Sequence, residues 1–250
     1  MVGRFRVSGF RLRSTICFAW SVGGLLSSLA ALASSTIDFS QCPTVLTPYE
    51  ASYISSYNNL SLNGQRSLER QESGRWLLSH TVKKFGSRIS ERSVFEAHNN
   101  QLRIHQYDMD QSIFGIGRKD RMHFDWENKV IRTSGRREGE IPLYRSYLDP
   151  LSHQLALRCD MAHGAQQATY PVVKRGKVKP HRFRRVGTAR LETELGPLDT
   201  VVIERVRDSD ERSTRIWLAP NLNYLLVRLQ QRDNEDDLDV TLQLKAVEFQ

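Results

Sequence analysis

Apolar and polar residues alternate with a period of two through most of the chain after residue 47. Because successive side chains of a strand point to opposite faces, this period indicates strands with one buried face. In the clearest run, polar or charged residues separate Leu238, Val240, Leu242, Leu244 and Ala246. About a dozen such runs, without crossover helices between them, predict an antiparallel barrel, half-barrel or sandwich.

Turn residues set the expected boundaries of these strands. Asn63 and Gly64 tolerate the positive φ of a tight hairpin, so the second alternating run is predicted to end there. Residues 34–46 show little periodicity and are predicted to form a lead-in arm. Residues 47–250 are predicted to form a single β-rich domain, because no linker or repeat divides them.

One segment, residues 149–164, has helical spacing instead. Asp149 can cap a first turn, Pro150 suits the first helical position, and Gly164 can end the helix in a left-handed conformation. The residues that recur at helical spacing between them are Leu151, Leu155, Cys159 and Ala162. We therefore predict a mainly β fold in which a curved antiparallel sheet or half-barrel wraps around one central helix.

The first 33 residues have the order of a signal peptide. Four arginines precede an uncharged stretch, which ends in the small-residue pattern Ala31-Leu32-Ala33. We predict cleavage after Ala33 and a soluble periplasmic protein without a transmembrane segment; an uncleaved anchor is the alternative. Removing four of the 36 basic residues leaves 32 against 28 acidic ones, a net charge of +4. This charge gives little support for nucleic-acid binding and leaves an anionic envelope surface as a partner.

Two cysteines, Cys42 and Cys159, remain after cleavage in a compartment that permits disulfides. They can pair with each other. The alternative is a buried free thiol at Cys159, which lies on the apolar stripe of the predicted helix. The sequence leaves both readings open.

No pattern of catalytic or metal-binding residues stands out. The seven histidines fall into none of the spacings that hold zinc, and we interpret them as residues of surface strands or turns. The acidic run at residues 233–237 lacks the ligand spacing of a calcium loop and indicates a solvated hairpin turn. We therefore expect no cofactor, no metal and no enzymatic activity.

Two motifs resemble those of a bacterial envelope family called domain of unknown function 3108. The first is Leu148-Asp149-Pro150-Leu151-Ser152-x-Gln154-Leu155, and the second is Thr214-Arg215-x-Trp217-x-Ala219-Pro220-x-Leu222-x-Tyr224-Leu225-x-Val227-Arg228. The resemblance covers about residues 47–247. It implies export and a fold similar to periplasmic lipoprotein carriers, with an apolar concave face. It implies no catalytic or binding residues.

The leading functional hypothesis is a periplasmic protein that binds a lipid or a lipoprotein acyl chain on the concave face of its sheet. One helix of about four turns covers only part of such a face, and uncovered apolar area favours a ligand. The residues expected to line the site are Leu151, Leu155, Phe124, Trp126, Val240 and Leu242. A structural or scaffolding envelope protein with a filled interior is the alternative, and an envelope enzyme comes third.

Overall fold

A computed structural model describes residues 38–57, 60–84, 86–209, 211–233 and 238–250. The predicted signal peptide, residues 1–33, lies outside this range. The described residues form one antiparallel sheet of 14 strands. The strands are Tyr49–Tyr57 (β1), Leu60–Arg70 (β2), Trp76–Lys84 (β3), Ser87–His98 (β4), Gln101–Ile113 (β5), Ile116–Asp125 (β6), Val130–Gly135 (β7), Gly139–Pro142 (β8), Gln167–Lys174 (β9), Lys177–Thr193 (β10), Gly196–Val206 (β11), Arg212–Ala219 (β12), Leu225–Asp233 (β13) and Leu238–Phe249 (β14).

The first and last strands pair in the middle of the sheet. Tyr49 stands opposite Phe249, so the pairing of β1 with β14 joins one group of strands, β1–β8, to a second group, β9–β14. The outer strands are β8 and β9, and the sheet is not closed into a barrel. The prediction of a mainly β, curved antiparallel sheet around one helix is confirmed.

The single α-helix of the described residues is Ser152–Ala162 (α1), shorter than the predicted 149–164. The Asp149 carboxylate accepts hydrogen bonds from the N–H groups of Leu151 and Ser152, at 2.7 and 2.9 Å. The capping role of Asp149 is therefore as predicted, but Pro150 lies in the turn before α1 rather than at its first position. At the other end, Gly164 has a φ of +76°, as expected of a residue that ends a helix.

The prediction of a turn at Asn63-Gly64 is wrong. Gly64 lies in the interior of β2, opposite Tyr53 on one side and Val82 on the other. A Cβ atom there would lie 3.2 Å from the Tyr53 Cβ and 3.6 Å from the Leu242 Cδ1. We call the face of the sheet that contacts α1 its inner face. Gly64 therefore allows close packing on this inner face and does not reverse the chain.

The predicted lead-in arm contains two short 3₁₀ helices, Phe39–Gln41 and Pro43–Leu46. Its residues Phe39 and Val45 are buried, and the Phe39 N–H donates to the carbonyl oxygen of Asn100, at 2.7 Å. A disulfide between Cys42 and Cys159 joins the arm to α1, with the two Cα atoms 5.6 Å apart. The arm and α1 therefore cover part of the inner face together.

Candidate functional site

The part of the inner face beneath α1 and the arm, which we call the closed half, is fully packed. Leu151 and Leu155 of α1 are 1% and 0% exposed, and Phe124 on β6 is 2% exposed. Trp126 is half-buried, and its indole N–H donates to the carbonyl oxygen of Ile104, at 2.7 Å. These four residues of the expected lining thus pack within the protein.

Buried polar contacts fix α1 against the sheet. The Ser93 hydroxyl donates to the Asp149 carboxylate at 2.5 Å, and the Arg66 guanidinium donates to the Gln154 side-chain oxygen at 2.7 Å. Arg158, which is 4% exposed, donates to the carbonyl oxygen of Asn223 through two nitrogens, at 3.0 and 3.3 Å. Such contacts hold a helix in one register, because a displaced partner leaves a buried polar group unpaired.

Two of the seven histidines, His153 and His181, are buried, so the interpretation of all seven as surface residues is wrong. Their rings meet edge to face with centroids 4.9 Å apart. Burial lowers the pKa of His153 to about 3, and burial raises the pKa of the neighbouring Asp149 carboxyl. The interior therefore favours the neutral forms of both groups.

The other part of the inner face keeps most of its apolar side chains partly exposed, although one of them, Leu242, is only 7% exposed. These residues are neighbours across the strands: Val82 stands opposite Ile89, and Leu229 stands opposite Leu242. Ile89 is 39% exposed. We call this surface the open patch; it consists of Leu62, Val82, Ile89, Leu229, Val240 and Leu242. Two residues of the expected lining, Val240 and Leu242, belong to it.

An arginine cluster, Arg205, Arg207 and Arg212, adjoins the open patch. Arg207 donates to the Thr214 hydroxyl at 2.8 Å. Along the row of paired strands, Thr214 stands opposite Gln231, which stands opposite the open-patch residue Val240. Residues paired in this way share a face, so the cluster lies on the same side of the sheet as the open patch.

The arginine cluster has an excess of positive charge. Arg212 forms an ion pair with the buried carboxylate of Asp233, whereas Arg207 bonds to a hydroxyl and a carbonyl oxygen. Burial and the nearby charges of Arg207 and Arg212 lower the pKa of Arg205 to about 10. The arrangement can accept an anionic group.

None of the predicted site residues belongs to this cluster, although the sequence contains a signal for it. Arg205 lies near the end of β11, Arg207 follows the last residue of that strand, and Arg212 begins the next strand. Two arginines at this spacing point to the same side of an extended chain, and a hairpin returns a third one beside them. The sequence does not tell which face of the sheet they share.

One group of side chains in the described part of the chain has the composition of a metal site. Ligand atoms of Cys42, Cys159 and His163 lie within 4.8 Å of one another. The disulfide uses both sulfur atoms, so neither cysteine offers the thiolate that binds a metal. We assign no metal to this group.

Comparisons with known proteins agree with the fold. The model of a family described as "Protein of unknown function (DUF3108)" matches residues 69–243. No curated protein matches the chain. A β-barrel-like protein of family DUF1849 from Brucella abortus shares 10% sequence identity at a TM-score of 0.53, over 82% of this chain and 98% of that one.

Two further solved structures are more distant. One is the complex of MucA and MucB from Pseudomonas aeruginosa, with 11% identity and a TM-score of 0.39 over 84% of this chain and 54% of that one. The other is a proposed outer membrane lipoprotein-sorting domain from Vibrio parahaemolyticus, with 9% identity and a TM-score of 0.21 over 82% and 86%. Among the described residues, no helix has the length and hydropathy that crossing a membrane requires.

Proposed function

Because the chain belongs to the DUF3108 family and has an open apolar face beside a cationic cluster, we propose that it is an exported envelope protein that binds an anionic amphiphile. The ligand is a lipid or a lipoprotein acyl chain, held along the open patch. The arginine cluster receives its carboxylate or phosphate. The proposal includes no catalytic step, and the signal-like first 33 residues support a periplasmic location.

The observation that carries this proposal is the pairing of the open patch with the arginine cluster. Apolar area left in water costs about 25 cal/mol per Å², and an acyl chain lying on the patch removes that cost. Guanidinium groups that repel one another gain when an anion enters between them. A ligand with an apolar chain and an anionic end satisfies both requirements at once.

Native mass spectrometry of the protein purified from the periplasm tests for a bound lipid, and titration with a fluorescent fatty acid measures its affinity. We expect Ile89→Asp and Arg205→Gln each to weaken binding about tenfold or more, because a charge on the patch or the loss of a charged donor removes a favourable contact. Leu195→Asp and Arg190→Gln are the matched controls, since both residues are exposed outside the patch and the cluster. Equal loss of binding in the control variants, or no bound lipid in any preparation, contradicts the proposal.

A second candidate is a structural envelope protein with a filled interior. The observation that favours it is the closed half, where Leu155 and Phe124 are buried by the protein's own side chains. In that case no fatty acid binds at micromolar concentration, and Ile89→Asp leaves the behaviour of the protein unchanged. The same titration therefore separates the two candidates.

A further inference from the structure

Two hairpin tips stand side by side at one edge of the molecule, the turn between β3 and β4 and the turn between β5 and β6. The Phe114 N–H of the second turn donates to the Gly86 carbonyl oxygen of the first, at 2.7 Å. The Phe114 ring also packs on Gly86, where a Cβ atom would lie 2.9 Å from the ring carbon Cδ1. The two tips therefore form one unit, which we call the double tip.

The double tip carries large apolar side chains that point into solvent. Phe114 is 77% exposed and Ile116 is 72% exposed. The open-patch residue Ile89, which is 39% exposed, lies three residues after Gly86 on β4. Exposed apolar groups that cluster in this way mark a surface that contacts an apolar phase or a partner.

The backbone of the turn makes Phe114 an unfavourable residue at its position. Phe114 and Gly115 have φ angles of +47° and +83°. Positive φ at both central residues belongs to a hairpin turn that favours Asn-Gly, and a bulky side chain in the left-handed region is strained. An asparagine would give a more stable and more polar tip, so the aromatic ring has another purpose.

The double tip is also cationic. Lys83, Lys84, Arg88 and Arg118 are exposed, and no acidic partner lies within ion-pair distance of them among the residues that the structure describes. Further from the turn, Lys119 is paired with Asp110 at 3.8 Å. Positive charge without a counterion therefore surrounds the exposed apolar side chains.

We infer that the double tip docks on the surface of a bilayer that contains anionic lipids. Phe114 and Ile116 enter the headgroup region, and the four unpaired cations contact the lipid phosphates. A second copy of the chain fits this surface poorly, because it would bring eight cations together around the same apolar contact. The inference goes beyond the proposed function, since it assigns a surface outside the ligand site.

The test is flotation of the full-length exported protein with vesicles of phosphatidylcholine, with and without a third of phosphatidylglycerol. We expect binding to the anionic vesicles only, with a decrease at high salt. Lys84→Ser should lower the partition coefficient about fivefold, the effect of one cation near such a surface. Phe114→Asn should lower it about tenfold and leave the fold intact, because asparagine suits the turn. Tyr144→Asn, at a residue that is 82% exposed away from the double tip, is the matched control and should bind normally.

The outcomes that overturn the inference are distinct from those that overturn the proposed function. Equal binding to neutral vesicles, or full binding by Phe114→Asn, would show that the double tip is not a membrane contact. Concentration-dependent self-association that Phe114→Asn abolishes would assign the surface to a second copy instead. Arg205→Gln, which tests the ligand site, should leave vesicle binding unchanged, so either idea can fail without the other.

Discussion

The closed half and the open patch share one sheet face but differ in how they treat polar and apolar groups. In the closed half, apolar side chains such as Leu155 are fully buried, and hydrogen bonds such as those from Ser93 to Asp149 and from Arg66 to Gln154 join α1 and its cap to the sheet. In the open patch, apolar side chains such as Ile89 stay partly exposed, and the arginine cluster adjoins them. Folding stability accounts for the residues of the closed half, whereas the residues of the open patch leave apolar area uncovered that the proposed ligand would cover.

The largest difference between the two regions should appear when a side chain is truncated in each. Leu155→Ala leaves a cavity in the closed half, and we expect it to lower the free energy of unfolding by about 2–5 kcal/mol. Val240→Ala removes a partly exposed side chain from the open patch and should cost less than about 1 kcal/mol. Urea denaturation of both variants measures the contrast. Equal losses would mean that the open patch is as tightly packed as the closed half.

The disulfide should stabilise the closed half without affecting ligand binding at the open patch. Cys42 and Cys159 are 117 residues apart in sequence, so their bond restricts the unfolded chain strongly. Replacing both with alanine should lower the free energy of unfolding by about 2–4 kcal/mol. Affinity for the fluorescent fatty acid should stay the same when the variant is folded. A loss of affinity that exceeds the loss of folded protein would show that the arm reaches the ligand site.

Acid should weaken the closed half through its buried histidines. His153 has a pKa of about 3 in the folded protein against about 6.5 when unfolded, so the unfolded chain binds more protons as the pH falls below about 6.5. Stability is therefore lost in this range, at about 1.4 kcal/mol per pH unit for one such histidine. Asp149 acts in the opposite direction, since its raised pKa makes the folded form bind a proton first.

Urea midpoints at neutral and mildly acidic pH measure this effect. The substitution His153→Leu should reduce the acid-induced fall, because it removes one buried group that must be neutral. His98→Gln, at an exposed position, is the control and should leave the fall unchanged. An unchanged pH dependence in His153→Leu would mean that other groups control the acid response.

The sequence predicted the closed half better than the open patch. Period-two alternation identified the strands, and Asp149 and Gly164 marked the helix, because capping chemistry acts over only a few residues. Gly64 misled the prediction, since a glycine can serve a turn or a close contact and only the tertiary structure decides between them. Which apolar residues stay uncovered depends on where α1 ends over the sheet, and no local pattern encodes that position.

The smallest expected change in the free energy of unfolding concerns the double tip, and here the sign of the change is more informative than its size. Phe114→Asn relieves a bulky residue at a φ of +47° and should raise the free energy of unfolding by about 1 kcal/mol. Thermal denaturation checks this value, with Tyr144→Asn as the exposed aromatic control that should show no gain. A variant that is more stable yet binds anionic vesicles less well would show that this residue trades stability for contact with the membrane. A loss of stability would instead show that Phe114 contributes to the packing at this edge. The double tip would then resemble the closed half and not the open patch.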